Sequence, residues 1–248
     1  MRSVLLLFMS VITFSSCSTT TGSVASSSSP YTRASTYPGM YSTDQRKTVM
    51  IMPPINQTVN VEAKEYLYSS LAKPLCDKGY YVLSPFLALE TLKDQSAYDA
   101  ELYINGNLKK LNEAFGADLA LFTIIHKWDK SVLTTSVTIE VEYLLKSTIT
   151  GNELFHRLGT VVVDTQVKDE NDDGGIARML AYMAASAINT AMTKKMNAVR
   201  SCNGYVLEDL PCGVYSDQYN KDQNVSADGP DVTLSPDDSK VSISMHRE

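Results

Sequence analysis

The chain has 248 residues, of which 44% are hydrophobic, and this is enough for one domain with a buried core. Its formal net charge is −6, and its Lys and Arg residues are scattered along the sequence. This balance argues against a nucleic-acid-binding protein, because such proteins neutralise phosphates with clustered basic side chains.

The N-terminus has the features of a secretory signal peptide. Arg2 supplies a positive charge, residues 4–14 are mostly apolar, and the small residues Ser15 and Ser16 precede Cys17. An apolar run of about 11 residues is shorter than the roughly 20 that a membrane-spanning helix needs. We therefore expect residues 1–16 to be a signal peptide, and we expect no transmembrane helix.

The stretch Phe14–Cys17 resembles a bacterial lipobox, in which small residues precede an obligatory cysteine that receives a diacylglycerol. Phe14 departs from the leucine that is usual at its position. We predict that Cys17 is lipidated, because more than one acyl chain gives a stable membrane anchor. Ser18 stands where an aspartate would indicate retention in the inner membrane. This favours the outer membrane, with the protein on its periplasmic side.

Composition divides the rest of the chain into three parts. Residues 17–44 are rich in Ser, Thr, Gly and Pro without hydrophobic periodicity, which predicts a flexible tether. Residues 216–248 are polar and acidic, which predicts a disordered tail. Residues 45–215 lie between them and are expected to form one globular domain.

The first half of this domain predicts strands that alternate with helices. Pro53 and Pro54 end an apolar strand, and Pro74 should kink or break the helix that follows. Gly79 is expected to cap that helix before the second strand. The predicted elements are a strand at Thr48–Met52, a helix over residues 61–75, a strand at Gly79–Pro85, and helices at Phe86–Gln95 and Ala100–Phe115.

The second half predicts three further strands and a long helix. The predicted elements are strands at Ala117–Asp129, Leu133–Tyr143 and Glu153–Asp164, with a helix from Gly174 to Ala198. Leu133–Tyr143 alternates apolar and polar residues, which is typical of an antiparallel strand with one exposed face. The sequence thus predicts a single α/β (α+β) domain. It would have a mixed sheet of about five strands, an N-terminal βαβ unit, a β-hairpin or meander, and a long C-terminal helix.

Three cysteines remain if Cys17 is lipidated. Cys202 and Cys212 enclose nine residues that include turn-forming Gly204 and Pro211, so a disulfide between them is one interpretation. Spacing alone does not show the geometry, and two unbonded thiols are the alternative. Cys76 is expected to be a small buried residue on a helix. No CxxC motif is present, which argues against a redox or zinc site.

No catalytic or metal motif stands out. The three histidines, His126, His156 and His246, have no nucleophile nearby in the sequence, so we expect structural roles for them. We predict a protein that is not an enzyme and has no cofactor. A hydrolase would require one of these histidines to be hydrogen-bonded to a carboxylate in a cleft. Asp169–Gly175 resembles the start of a calcium loop, but Leu180 stands where the loop needs a glutamate.

Tyrosines are numerous, with fourteen in the chain. Four of them surround the first helix and second strand of the domain, namely Tyr66, Tyr68, Tyr80 and Tyr81. Tyrosine combines a large contact area with a polar tip, so these four form a candidate interface. Ordinary packing in the core and at its edge is the alternative.

The segment Met50–Pro85 resembles a family of bacterial lipoproteins of unknown function that includes a meningococcal genome-derived lipoprotein antigen. Thr150–Phe155 and Leu210–Tyr219 are also similar to that family, and the resemblance covers roughly residues 45–220. It implies a domain similar to the N-terminal domain of the translocation protein TolB. It also implies an accessory role in secretion, beside a curli-secretion-channel-like lipoprotein, and a homodimer. It implies no catalytic residue.

The sequence therefore predicts an outer-membrane-anchored lipoprotein that faces the periplasm. It would act as a non-catalytic binding or assembly accessory of a secretion or transport complex in the cell envelope. Its partners would be the membrane, through Cys17, and envelope proteins, without nucleic acid. The alternative is a regulator of peptidoglycan synthesis or a small-ligand-binding envelope lipoprotein.

Overall fold

The computed structural model describes residues 31–42, 48–130, 136–164, 191–227, 231–234 and 241–246. Cys17, the acidic stretch Asp169–Gly175 and the first part of the predicted C-terminal helix lie outside these residues. Within this described part, no helix combines the length and the apolar character that crossing a membrane requires.

The described residues confirm the α/β fold with a mixed sheet. The strands are β1 (Thr48–Ile51), β2 (Ile55–Asn56), β3 (Tyr81–Val82), β4 (Leu119–Lys130), β5 (Ser136–Ser147), β6 (Glu153–Asp164), β7 (Asp231–Leu234) and β8 (Val241–His246). Their order is β3-β1-β4-β5-β6-β8-β7, and β2 also pairs with β4. The three strands β3, β1 and β4 are parallel, and the strands from β4 onward are antiparallel.

Helices pack on both faces of the sheet. They are α1 (Arg33–Thr36), α2 (Pro38–Tyr41), α3 (Ala63–Ser70), α4 (Ala72–Asp77), α5 (Pro85–Asp94), α6 (Glu101–Ile104), α7 (Lys109–Phe115) and α8 (Ala191–Glu208). The stretch Ala100–Phe115, predicted as one helix, thus holds two short ones. Helix α8 continues to Glu208, beyond the end predicted near Ala198.

Two hydrophobic cores lie on opposite faces of the sheet. Val49 and Ile51 of β1 face a core that includes residues of α2, α3, α4 and α8. Met50 and Met52 face a second core with residues of α5 and α7. Successive side chains of β1 point to opposite sides of the sheet. The helices between β1 and β3 therefore pack on one side, and the helices between β3 and β4 pack on the other.

The predicted break at Pro74 is confirmed. Helix α3 ends at Ser70, and α4 begins at Ala72. Pro74 lies in the first turn of α4, where backbone N–H groups have no partner within the helix, so the N–H that proline lacks costs no helical hydrogen bond. Gly79 follows with φ +83°, a left-handed conformation that suits glycine at a helix end. A Cβ there would lie 2.4 Å from the Ser216 nitrogen, so a side chain would not fit.

The predicted tether, residues 17–44, includes residues that form helices α1 and α2 of the folded domain. Tyr37 and Met40 are buried in the first core. The Arg33 guanidinium donates to Asp222 Oδ2 at 3.2 Å and so joins the two ends of the domain. The segment as a whole is polar, and few of its residues are buried, so its composition indicated a tether.

The predicted disordered tail is wrong for the residues described there. Asp222 and Ala227 are buried, and the backbone of Thr32 pairs with that of Ser226. Strands β7 and β8 extend the sheet beyond β6, which raises the strand number above the expected five. Val241, Ile243 and Met245 of β8 alternate with Ser242 and Ser244, which is a strand pattern, and the acidic, polar composition of the whole tail outweighed it in the prediction.

Candidate functional site

A β-bulge at His126 shapes a polar surface of the sheet. Pairing of β4 with β5 shifts between Ile125 and Lys127, and His126 is the extra residue. Because of this shift, Ile125 and Trp128 both face the first core, although they are three residues apart. The bulge thus buries the single tryptophan, whereas His126 lies on the other face, as alternation after Ile125 requires.

Glu142 bridges two histidines on neighbouring strands. Its Oε2 lies 2.7 Å from His126 Nε2, and its Oε1 lies 2.9 Å from His156 Nε2. The remaining ring nitrogen of His126 is 2.9 Å from Gln57 Oε1, and that of His156 is 3.3 Å from Glu153 Oε1. These five residues, which we call the histidine cluster, connect the segment after β2 with β4, β5 and β6.

The histidine cluster lies on what we call the open face. Along β5 and β6, buried residues alternate with half-exposed ones, and the buried set faces α8. The half-exposed set defines the open face: His126, Thr138, Glu140, Glu142, His156, Leu158 and Thr160. The polar groups of this face are ordered by the strands and are only partly exposed, since Glu142 and His156 are each 15% exposed.

A small pocket marks the carboxyl end of β1. Its volume is about 170 Å³, and its lining residues come from the β1–β2 connection, β2, α3, the α5–α6 connection and the start of α6. They are Pro54, Ile55, Lys64, Tyr98, Asp99, Ala100 and Glu101. The connections after β1 and β3 leave on opposite faces here, and such switch points are the usual binding sites of open α/β sheets.

Exposed apolar side chains occur in the same segments of the chain as the residues that line this pocket. We call them the carboxyl-end rim, and they are Val59, Val61, Phe86, Leu87, Tyr98 and Leu102. The Tyr68 hydroxyl donates to the Pro85 carbonyl at 2.7 Å and lies 3.4 Å from the Ile51 carbonyl, which holds the start of α5 beside the end of β1. All six rim residues lie in segments that follow β2 or β3 in the chain, and exposed apolar patches are typical of docking surfaces.

Three of the four tyrosines predicted as a candidate interface make contacts within the domain. Tyr80 is buried and donates to the Pro211 carbonyl at 2.5 Å. Tyr66 stacks on Trp128 with ring centroids 6.1 Å apart, and burial raises the pKa of Tyr68. Tyr81 alone of the four is well exposed, on the edge strand β3. Sequence proximity did not show that side chains of one segment point in different directions.

No disulfide joins Cys202 and Cys212 in the structure. Cys202 is buried in α8 beneath the sheet, where the Tyr143 hydroxyl lies 3.4 Å from its Sγ, and burial raises its pKa to about 12. The structure therefore has the alternative arrangement, two unbonded thiols. Cys76, predicted to be buried, is an exposed thiol on α4.

Two buried polar networks were not visible in the sequence. The Tyr143 hydroxyl donates to Asn203 Oδ1 at 2.6 Å, and Asn203 Nδ2 donates to Ser70 Oγ at 2.8 Å. In the other network, Asp209 accepts hydrogen bonds from Arg157 and Tyr37. Both join α8 or the turn after it to other elements, so they stabilise the fold beneath the sheet.

The roles of Gln57, Glu142 and Glu153 in the histidine cluster could not be predicted from the sequence. Alternation along β5 placed Glu142 among polar positions, but pairing registers were needed to bring it between two histidines. In the described part of the chain, no group of three or more His, Cys, Asp or Glu side chains is arranged to hold a metal ion.

The third histidine, His246, lies on strand β8. Pairing of β6 with β8 sets His246 opposite Leu158.

Comparison with known proteins gives a consistent picture. A family model described as "Putative lipoprotein GNA1162-like" matches residues 37–209. A Neisseria meningitidis serogroup B protein named "Putative lipoprotein NMB1124/NMB1162" is 23% identical over 162 residues, which cover 64% of this chain and 74% of that protein.

Two solved structures are also similar. The crystal structure of lipoprotein GNA1162 from Neisseria meningitidis has a TM-score of 0.47 at 23% identity and covers 56% of this chain and 95% of its own. A PelC dodecamer from Paraburkholderia phytofirmans has a TM-score of 0.40 at 15% identity and covers 66% of this chain and 87% of its own.

Proposed function

This chain belongs to the GNA1162-like lipoprotein family, and on that premise we propose that it is a lipid-anchored, non-catalytic docking protein of the cell envelope. Acyl chains on Cys17 hold it at the outer membrane, with the folded domain on the periplasmic side. Its partner is another envelope protein of a secretion or transport complex, for which a curli-secretion-channel-like lipoprotein is the first candidate.

The anchor rests on the N-terminal sequence together with family membership. Small residues directly before Cys17 and a short apolar run before them fit cleavage and lipidation at this cysteine. The polar stretch after Cys17 gives the folded domain reach from the membrane surface.

The carboxyl-end rim is the observation that carries the docking role. Phe86 is 69% exposed and Leu102 is 71% exposed, although both belong to helices that pack other residues into the second core. Leaving such side chains in water forgoes the stabilisation that burial would give, about 1.5–3 kcal/mol for each large one. A partner that covers the rim recovers this free energy, and aromatic side chains are frequent anchors of such interfaces.

The histidine cluster meets one of the two conditions stated for a hydrolase, because His126 and His156 are hydrogen-bonded to the Glu142 carboxylate, but neither histidine lines the pocket at the end of β1. The ring nitrogens of His126 and His156 face Gln57, Glu142 and Glu153, which are carboxylates and an amide. A nucleophilic mechanism needs a serine, cysteine or threonine beside the base, and these partners supply none. The cluster therefore joins strands in this proposal.

Site-specific photo-crosslinking in the native host tests the docking role. A photoreactive phenylalanine replaces Tyr98, and the adduct is identified by mass spectrometry. We expect an adduct with an envelope protein that disappears when Phe86→Ser and Leu87→Ser are introduced. Tyr215→Ser is the matched control, because Tyr215 is also 69% exposed but lies outside the rim. An adduct that survives the double substitution, or no adduct at all, would contradict rim docking.

The pocket favours a second candidate, a small-ligand-binding or peptidoglycan-responsive lipoprotein. Lys64 and Glu101 offer opposite charges there, beside the Tyr98 ring. Its volume of about 170 Å³ is below the roughly 300–1,000 Å³ of most small-molecule sites, so only a small fragment would fit. Muropeptides that raise the Tm of the wild type but not of Tyr98→Ala would favour this candidate over docking.

A further inference from the structure

The chain enters the folded domain at one edge of the sheet. The carbonyl of Tyr31, the first residue described, accepts a hydrogen bond from the Ala227 N–H at 2.9 Å. The Arg33 guanidinium donates to the Glu208 carbonyl at 2.7 Å, and the Lys78 ammonium donates to the same carbonyl. Because Lys78 lies between the end of α4 and the start of β3, the entering segment is held where β3 begins.

Helix α2 places the same segment beside the start of β6. The ring centroids of Tyr37 and Phe155 are 5.0 Å apart. Strand β6 runs in the same direction as β4, since both are antiparallel to β5, and β1 and β3 run in that direction too. The starts of β1, β3, β4 and β6 therefore form one edge of the sheet, which we call the amino-end edge, and residues 31–41 lie along it.

The carboxyl-end rim lies at the opposite edge of the sheet. Phe86 follows β3 in the first turn of α5. Asn60, which stands between two rim residues, donates from Nδ2 to the Trp128 carbonyl at 2.7 Å, near the end of β4. From Leu119, where β4 begins, to Trp128 is a distance of about 30 Å at about 3.3 Å per residue. The entering segment and the rim are thus separated by the length of the sheet.

The length of chain before the domain decides which edge stays near the membrane. Only the residues between Cys17 and Tyr31 link the acyl chains to the amino-end edge. The tether predicted from the sequence would have a typical end-to-end distance of about 20 Å over this length. Turning the domain over, so that the rim touches the membrane, would require it to stretch along the sheet by about 30 Å. The anchor therefore favours the amino-end edge beside the membrane.

The charge of the rim gives a second, independent argument. Residues 59–65 and 86–102 carry the rim, and they include six acidic residues and two lysines. Segments that lie on a membrane surface combine apolar side chains with many lysines and arginines. An acidic setting of this kind suits contact with a protein better than contact with lipid.

We propose that the anchored domain holds its carboxyl-end rim away from the outer membrane and docks there a protein whose binding surface stands clear of that membrane. This inference rests on the lipid anchor and the docking role proposed above, and it adds the direction from which the partner approaches. The partner's surface is apolar with basic side chains around it, because such a surface complements the acidic residues beside the rim.

Energy transfer from the protein to the membrane tests this orientation. Lipidated protein is reconstituted in vesicles of phosphatidylethanolamine and phosphatidylglycerol that contain an acceptor-labelled lipid. An azide-bearing phenylalanine replaces Tyr98 or Tyr215 and carries the donor dye. Tyr215 is the matched position, because it is also exposed but lies at the amino-end edge, where its N–H donates to the Gly79 carbonyl at 3.0 Å.

We expect a larger loss of donor emission at position 215 than at position 98, since energy transfer falls steeply with distance. Both losses should disappear in the Cys17→Ser chain, which has no anchor. Equal losses at the two positions, or a larger loss at position 98, would overturn the orientation, and the second result would mean that the rim rests on the lipid.

Photo-crosslinking at position 98 separates this inference from the docking role. An adduct at the rim together with equal energy transfer at both positions would keep the docking role and overturn the orientation. A larger loss at position 215 without any adduct would support the orientation and contradict docking.

Discussion

Replacing Asp209 with alanine gives the sharpest test of how the domain is held together. Asp209 Oδ2 accepts a hydrogen bond from Arg157 Nη2 at 2.8 Å and another from the Tyr37 hydroxyl. The side chain of Arg157 is 0% exposed, and its guanidinium lies 5.0 Å from the centre of the Tyr37 ring. Asp209→Ala would leave this buried positive charge without its carboxylate.

The expected loss follows from burial of the pair. Removing one partner of a buried ion pair costs about 3–5 kcal/mol, because the other charge stays away from water. A domain is stable by only about 5–15 kcal/mol, so Asp209→Ala should weaken folding severely. Arg157→Met together with Asp209→Ala should cost less than the sum of the two single changes, since neither charge is then left alone.

Urea unfolding followed by tryptophan fluorescence measures these differences in the Cys17→Ser chain. Trp128 is the single tryptophan and is buried against Tyr66, so its emission reports unfolding of the core. Asp217→Ala is the control, because Asp217 is exposed and its loss should change the free energy of unfolding by less than about 0.5 kcal/mol. The reasoning is refuted if Asp209→Ala resembles this control, or if the two changes at the buried pair are additive.

Three further predictions address packing, thiols and acid stability. Gly159→Val should destabilise the domain by more than about 1 kcal/mol in urea unfolding, because even a Cβ at Gly159 would lie 2.5 Å from Val206 Cγ2; unchanged stability would contradict the close packing of α8 on β6. Thiol labelling at pH 8 should modify Cys76 quickly and Cys202 only after unfolding, since burial raises the pKa of Cys202 to about 12; only one reactive thiol in the unfolded Cys17→Ser chain would reveal a disulfide. Although burial alone would raise the pKa of Asp222, hydrogen bonds and a nearby guanidinium lower it, so its stabilising effect should be present near neutral pH and fade on acidification. Asp222→Asn should therefore unfold more easily than the wild type at pH 7 and approach it near pH 3, and a constant difference would contradict this assignment.

The sequence predicted those parts of the fold that depend on local patterns. Apolar runs marked β1 and β4, alternation marked β5, and Pro74 marked the break between α3 and α4. These signals act over a few residues, so they can be read without knowing which segments meet.

Features that depend on long-range pairing could not be predicted in this way. The bulge at His126 exists because Ile125 and Trp128 both reach the first core, and this requires the register with β5. Strands β7 and β8 pair through their backbones, and the helices at 33–41 are held by Arg33 and Asp222, which are far apart in the sequence. The histidine cluster has the same origin, because Glu142 meets His126 and His156 only through two strand registers.

Intact-mass analysis of the protein extracted from membranes tests the central proposal most directly. Outer and inner membranes are first separated, and the N-terminal peptide is then identified by fragmentation. We predict a chain that begins at Cys17, carries acyl chains on this residue and sediments with the outer membrane, and we predict that Cys17→Ser abolishes the acyl mass and the sedimentation. A chain that keeps residues 1–16, or that carries an unmodified Cys17 in the soluble fraction, would contradict a lipid-anchored envelope protein.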